Sequence, residues 1–108
     1  MNQGDIVIAV LSGDYGKPRP TVLVQSHALL DSESLLLCPL TSDVSTAGPF
    51  RLEIQATSDN GLQQASVAMT DKITAVPRRR CREVVGRLAE AEVKAIDAGL
   101  IFVFGLDS

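Results

Sequence analysis

Arg19 is the residue whose type and setting best suit it to bind an anion. It lies in the segment 13–20, directly between Pro18 and Pro20. The residue before a proline is pushed into extended geometry, so Arg19 has little backbone freedom to lose when its guanidinium meets an anion. A guanidinium pairs with two phosphate oxygens at once and stays charged at physiological pH. Arg19 therefore predicts an anion site, although a structural ion pair with a loop carboxylate such as Asp14 fits its residue type equally well.

Two adjacent hydroxyls, those of Thr41 and Ser42, follow a second apolar stretch. Such hydroxyls suit a phosphate oxygen or a base edge, and they are equally common in ordinary turns. One reaction needs groups of this kind and neither a metal nor a histidine: cleavage of RNA by its own 2′-hydroxyl. The protein then only has to orient the substrate, move protons and stabilise the charge that develops at phosphorus. Arg19 and Thr41 are the smallest pair that meets this need, with Thr41 as a donor to a phosphate oxygen.

Several other catalytic patterns are missing from the sequence. His27 is the single histidine, and no histidine or cysteine lies at ligand spacing from it, so we expect no metal. The glycine-rich motifs of nucleotide-binding enzymes and the Gly-x-Ser-x-Gly motif of esterases are also missing, and we expect no cofactor. Cys38 and Cys81 form no close pair, which is typical of a reducing cytosol.

Charge and hydropathy narrow the class of protein further. The 108-residue chain has a net charge of -3, which argues against broad, nonspecific attraction to nucleic acid. Seven of its ten basic residues nevertheless lie beyond residue 71, so a local surface can still be basic. The Arg78–Arg80 cluster fits a phosphate track, a dock for an acidic peptide or a solvated surface. No apolar run approaches the roughly 18 residues of a membrane span, and no signal peptide is visible, so we expect a cytoplasmic protein.

The elements that must hold these residues are predicted to be mostly β-strands. Short apolar runs separated by Gly, Pro, Asp and Ser predict strands over 6–11, 21–25, 35–40 and 50–56, and one broken or bent strand over 66–69 and 73–76. Their close spacing favours a small antiparallel barrel or sandwich in a single domain, 1–108. Alternation over 50–56 places Phe50 toward the core and Arg51 toward solvent or a phosphate.

The last quarter of the chain has helical periodicity. A short helix is predicted over 80–88, weakened by Gly86, and a longer one over 89–104. The segment 100–104 is apolar on every face, which favours burial on two sides. A homodimer would supply the second surface; the alternative is that this segment plugs the barrel of a monomer.

Five short motifs, in order along nearly the whole chain, carry a resemblance to a known family. They are Gly4-Asp-Ile-Val7, Gly16-x-x-Arg-Pro20 followed by Thr-Val-Leu-Val, Pro39-Leu-Thr-Ser42, the Gly61-Leu62 turn followed by Ser66-Val67, and Asp71-Lys-Ile73 before Val76-Pro77. Together they resemble the MazF/PemK (Kid) toxin family of type II toxin-antitoxin systems. The resemblance implies a small SH3-like barrel with a C-terminal helix, a homodimer, and a metal-independent, sequence-specific endoribonuclease of single-stranded RNA. It also implies a cognate antitoxin that inhibits the toxin, with an acidic, partly disordered segment.

The resemblance also assigns residue roles. It makes Arg19 the catalytic arginine and Thr41 the catalytic threonine, with Ser42 beside it. Asp71 matches an aspartate that has a catalytic or RNA-binding role. PemK-like members carry an arginine two residues before that aspartate, where this chain has Met69, so Asp71 lacks this partner.

Two basic residues are further candidates for RNA contacts. Lys17 is near the position where MazF-like members place a polar loop residue before the Arg-Pro pair. Arg51 follows the loop that family members bring to the RNA.

A different class of protein shares the same barrel and dimer. CcdB-like proteins poison DNA gyrase and have no catalytic residues of their own. Met69-Thr-Asp71 and the terminal Phe104-Gly-Leu106 resemble the CcdB pattern, whereas the Gly-x-x-Arg-Pro turn does not. A gyrase poison therefore stays as an alternative, as does an inactive member that only binds RNA or its antitoxin.

Overall fold

A computed structural model describes residues 1–13, 15–29 and 31–107, and shows a curled antiparallel sheet with one long helix. The strands in this part of the chain are β1 (Asp5–Val10), β2 (Pro18–Leu23), β3 (Ser34–Thr41), β4 (Glu53–Ile54), β5 (Ser66–Ala68), β6 (Thr74–Pro77) and β7 (Cys81–Arg87). The helix α1 is Glu90–Phe104. Short 3-10 helices span His27–Leu29, Val44–Thr46, Thr70–Lys72 and Arg78–Arg80.

The strands form one path in the order β4-β5-β3-β2-β1-β7, and β6 also pairs with β3. All of these pairings are antiparallel. The long strand β3 pairs with β6 along its first half and with β5 at its end, and the 3-10 helix Thr70–Lys72 separates the two partners. The strand predicted to be broken or bent is thus broken into β5 and β6, and the predicted mainly-β fold with a C-terminal helix is confirmed. The sheet curls into a half-barrel.

Alternate strand residues pack on opposite faces of the sheet, as a period of two requires. One buried cluster contains Ile6 and Val22 and is covered by Ile96 of α1. The other contains their neighbours Val7 and Leu23 on the opposite face. Because both faces of β1 and β2 are buried, the register of these strands is strongly specified. This register fixes where Arg19 lies.

The helix predicted over 80–88 is wrong, since Cys81–Arg87 is the strand β7. β7 pairs with β1, with Ile6 opposite Gly86 and Val7 opposite Val84, and the ladder contains register shifts typical of β-bulges. Pairing gives β1 its second neighbour and satisfies backbone groups that an edge strand would leave open. A Cβ at Gly86 would lie 2.4 Å from the carbonyl oxygen of Asp59, so this glycine permits a close approach of two backbones.

The predicted strand over 50–56 is also mostly wrong, since only Glu53–Ile54 is a strand. Phe50 lies in a turn in which Gly48 and Arg51 exchange backbone hydrogen bonds of 3.3 Å. Its half-buried ring stacks on Phe102 of α1, with ring centroids 5.6 Å apart. The alternation predicted a core position, but contact with the distant helix decides where this aromatic ring lies.

The long helix predicted over 89–104 is confirmed as α1. Glu92 caps its first turn, because its carboxylate accepts a hydrogen bond from the Ala89 backbone N–H at 3.0 Å. The helix ends at Phe104 and is capped by Gly105, whose φ of +70° lies in the left-handed region. Phe102 and Phe104 remain 57% and 59% exposed, so this end of the helix does not plug the barrel.

The described helices include none that is both long enough and apolar enough to cross a membrane.

Candidate functional site

Arg19 lies where two surface grooves meet. It is the second residue of β2 and pairs with Ala9 of β1, and its side chain is exposed. One groove, of about 460 Å³, we call the glutamine groove; its polar lining is Lys17, Arg19, Ser42, Gln63, Gln64, Ser66 and Glu83. The other, of about 450 Å³, we call the threonine groove; its polar and sulfur-containing lining is Ser12, Arg19, Thr41, Met69, Lys72 and Thr74. Arg19 is therefore shared by the linings of both grooves.

Thr41 lines the threonine groove together with Arg19. The β2–β3 ladder pairs Leu23 with Leu37 and Thr21 with Pro39 and ends there, two residues from both Arg19 and Thr41. Thr41 ends β3, and its Oγ1 accepts a hydrogen bond from the Asp43 backbone N–H at 3.2 Å. The hydroxyl proton remains able to donate to a ligand. Arg19 and Thr41 therefore line one groove, and their catalytic roles stay a prediction.

Ser42 is the next residue along the chain but lines the other groove. It is exposed, and it lies on the glutamine groove together with Lys17. The two neighbouring hydroxyls are therefore divided between the two grooves, one on each side of Arg19. A linear ligand that passes over Arg19 would meet both of them.

Asp71 forms an ion pair with Arg51, whereas PemK-like members carry an arginine two residues before this aspartate. Arg51 Nε lies 2.8 Å from Asp71 Oδ1, and Arg51 Nη2 lies 2.9 Å from Asp71 Oδ2. Hydrogen bonding to Arg51 lowers the pKa of Asp71, and the same bond raises the pKa of Arg51. A carboxylate with a lowered pKa is poorly suited to accept a proton near neutrality. Neither Arg51 nor Asp71 lines a groove. Their ion pair instead stabilises the backbone next to Met69 and Lys72, which line the threonine groove.

The basic cluster Arg78–Arg80 is partly structural. Arg78 Nε donates a hydrogen bond of 2.6 Å to the Ser32 carbonyl oxygen, and the Arg78 backbone N–H donates to the Glu33 carbonyl oxygen at 2.9 Å. Arg79 and Arg80 are exposed and lie outside both grooves. The cluster is not part of the site around Arg19. Asp14, the carboxylate considered as a partner for Arg19, lies outside the described residues.

Sequence reasoning missed three polar residues of the glutamine groove. Gln63 and Gln64 lie between the turn at Gly61 and β5, and Glu83 lies on β7. Glu83 was missed because its segment was expected to be helical. One feature of the sequence could have indicated the two glutamines as site residues: their adjacent amides follow a turn and precede a buried strand. Among the residues described, no cluster of three or more His, Cys, Asp or Glu side chains could hold a metal ion.

The fold and the site define a class of small half-barrel proteins that present an arginine and hydroxyls on their surface. Solved structures of this shape include the Mycobacterium tuberculosis toxin MazF-mt6, with a TM-score of 0.78 and 22% identity over 96% of this chain and 99% of that one. An endoribonuclease in complex with its cognate antitoxin, from a mycobacterial species, has a TM-score of 0.80 and 18% identity over 98% and 96%. MazE-MazF from Deinococcus radiodurans has a TM-score of 0.76 and 19% identity over 97% and 95%. At these identities the likeness concerns the fold.

Sequence comparison identifies the family. The model of the "PemK-like, MazF-like toxin of type II toxin-antitoxin system" family matches residues 2–104. A protein of Mycolicibacterium smegmatis named "Probable endoribonuclease MazF" is 36% identical over 107 residues, which are 98% of each chain. This chain belongs to the PemK-like, MazF-like toxin family, and the resemblance seen in its motifs is confirmed.

Proposed function

We propose that this MazF-like toxin is an endoribonuclease that cleaves single-stranded RNA at specific sequences without a metal ion. The observation that carries the proposal is the position of Arg19 on both grooves, with Thr41 on one and Ser42 on the other. The M. smegmatis relative named as an endoribonuclease supports the activity. An extended RNA strand can lie along both grooves only if its backbone passes Arg19.

The chemistry follows from these groups. The 2′-oxygen of the substrate attacks the adjacent phosphorus and loses its proton, while the bond from phosphorus to the 5′-oxygen breaks and that oxygen takes up a proton. The products are a 2′,3′-cyclic phosphate and a 5′-hydroxyl. Arg19 pairs with the phosphate oxygens as negative charge develops on them, and Thr41 donates a hydrogen bond to a non-bridging oxygen. Asp71 is a supporting carboxylate and not the base, because Arg51 occupies both of its oxygens.

The test is cleavage of a mixed-sequence single-stranded RNA in excess EDTA. We expect the wild type to cut at a short recurring sequence and to leave cyclic phosphate ends. Arg19→Ala and Thr41→Val should each slow cleavage by about 100- to 1000-fold, the range for one lost electrostatic donor. Arg79→Ala is the matched control, since Arg79 is an exposed arginine outside both grooves. Failure of the wild type to cleave, or full activity of Arg19→Ala, would contradict the proposal.

The proposed assembly is a homodimer formed through the end of α1. Ile101, Phe102, Phe104 and Leu106 are 44%, 57%, 59% and 73% exposed and follow one another closely. A cluster of large apolar side chains exposed to water marks an interaction surface. A second copy of the chain would bury these side chains.

A cognate antitoxin is the second proposed partner, in keeping with a cytoplasmic toxin. Solved neighbours include a mycobacterial endoribonuclease with its antitoxin and MazE-MazF of D. radiodurans. The cations Lys17, Arg19 and Lys72 on the two grooves would attract an acidic, partly disordered segment. Such a segment would compete with RNA for the same surface.

The family match favours a ribonuclease over a CcdB-like gyrase poison. The exposed Phe104 and Leu106 are compatible with contact to a topoisomerase, but they fit the dimer surface equally well. If the protein were an inactive family member that only binds RNA, it would bind RNA and form no cleavage products.

A further inference from the structure

We infer that the glutamine groove holds a nucleotide next to the cleaved phosphate, and that Gln63, Gln64 and Glu83 read its base. This inference rests on the proposed endoribonuclease activity and names the residues that select the sequence. The groove volume of about 460 Å³ lies within the roughly 300–1000 Å³ of pockets that enclose small ligands. Because Arg19 borders the groove, a base inside it belongs to a nucleotide directly adjoining the phosphate that Arg19 binds.

The three side chains have hydrogen-bonding groups available for a base. All three are exposed, and within the described part of the chain none of them forms a side-chain hydrogen bond or an ion pair. A glutamine amide offers a donor and an acceptor side by side, which matches the edge of adenine, and a carboxylate accepts hydrogen bonds from the amino group of cytosine. Single-stranded RNA exposes these edges because its bases are unpaired.

The two sides of the glutamine groove differ in charge. Arg19 on β2 and Glu83 on β7 lie on opposite sides of β1, whose residue Ile8 also lines the groove. Two strand spacings amount to roughly 10 Å between the backbones that carry the two charges. The carboxylate would repel a phosphate, whereas Arg19 and Lys17 would attract one. A nucleotide therefore fits with its phosphate toward the cations and its base toward Glu83 and the glutamines.

The segment that carries the glutamines is held in place by Asn60, which is 1% exposed. The Asn60 side-chain oxygen accepts hydrogen bonds from the backbone N–H groups of Thr57 at 3.1 Å and Leu62 at 3.0 Å. Its side-chain nitrogen donates to the Gln55 carbonyl oxygen at 2.8 Å. At Gly61 a Cβ would lie 2.4 Å from the Val85 carbonyl oxygen, so the turn packs directly on β7. Groups that are fixed before binding discriminate better than mobile ones.

The experiment measures base preference and not only rate. Wild type, Gln63→Ala, Gln64→Ala and Glu83→Gln are each incubated with a single-stranded RNA library that has a randomised segment, and the new 5′-hydroxyl ends are sequenced. Gln55→Ala and Glu53→Gln are matched controls, because these residues are exposed and line neither groove. Thermal unfolding of every variant shows whether the fold is retained.

We expect the three groove variants to keep cleaving while their preference for the base at one position beside the cut falls about tenfold or more. The two controls should retain the wild-type preference. Cleavage with an unchanged preference in all three variants would overturn this inference alone. Folded variants that lose all cleavage would also overturn it, because the residues would then serve the chemistry. A wild type that does not cleave would overturn the proposed endoribonuclease activity, and this inference with it.

Discussion

Arg51 and Asp71 form a two-armed ion pair, with Nε 2.8 Å from Oδ1 and Nη2 2.9 Å from Oδ2. The pair ties the turn containing Phe50 to the 3-10 helix Thr70–Lys72. A second link runs in parallel, since Thr70 Oγ1 donates to the Phe50 carbonyl oxygen at 2.6 Å. Together these contacts fix the backbone that carries Lys72 into the threonine groove.

Asp71→Asn should destabilise the fold at neutral pH by about 1 kcal/mol, the upper range for a partly exposed pair with good geometry. Arg51 lowers the pKa of Asp71 in the folded state, so the pair stabilises the fold above the ordinary aspartate pKa of about 3.9. This stabilisation is lost as the pH falls through the lowered folded-state pKa. Urea unfolding of wild type and variant across pH measures the difference, which should shrink in acid; a difference that grows in acid would contradict the prediction. Arg51→Ala should give a similar loss.

Phe102→Ser should weaken the proposed homodimer. The change removes a large exposed apolar ring and its stacking on Phe50, so less apolar area is available for a second copy to cover. Light scattering after size exclusion should show a wild-type dimer and a shift of the variant toward monomer. Glu90→Gln, at the opposite end of α1, is the control and should leave the mass unchanged. A wild type that stays monomeric at high concentration would refute the dimer.

Cys38 should resist alkylation in the native protein. Burial raises the pKa of this thiol to about 12, and the side chain has no exposed surface. The thiolate is the reactive form, so both protonation and burial protect Cys38. Cys81 is half-buried, and burial raises its pKa as well, so it should react slowly but ahead of Cys38. Mass spectrometry after timed iodoacetamide treatment should find Cys38 modified only once the protein unfolds; rapid native labelling of Cys38 would contradict its burial.

Asn60→Ala should be among the more damaging single changes. It leaves the part-buried N–H groups of Thr57 and Leu62 without their acceptor, which should cost about 1–3 kcal/mol. Chemical denaturation measures the loss. Asn2→Ala alters an exposed asparagine and should change stability by no more than about 0.5 kcal/mol. If the Asn60 variant is as stable as wild type, the turn before the glutamines is not held by this side chain.

Purified protein should not trap DNA gyrase at concentrations at which it cleaves RNA. Arg19→Ala should abolish growth inhibition in cells, because the proposed toxicity depends on cleavage. A gyrase poison would instead be indifferent to Arg19→Ala and would form cleaved DNA complexes with gyrase. The two assays on the same preparations separate the two classes of toxin.

Several features of this protein could be predicted from local sequence. A period of two between turn residues predicted β1, β2, β3 and the broken strand β5–β6, because burial of alternate side chains depends on neighbours in sequence. Helical periodicity predicted α1 for the same reason. The prolines beside Arg19 singled out this residue, and the chemistry of RNA cleavage paired it with Thr41, as did the family motifs.

Only the tertiary structure decided the rest. Residues 81–87 became a strand because β1 needed a second partner, which no local pattern in the segment reveals. Phe50 stacks on Phe102 and Arg51 pairs with Asp71 across long separations in sequence, so their contacts depend on how distant elements meet. The glutamine groove likewise exists only where β2, β7 and the turn after Asn60 come together. The types of residue and the periods of the elements are local properties, whereas a site depends on which distant side chains the packed sheet brings to one surface.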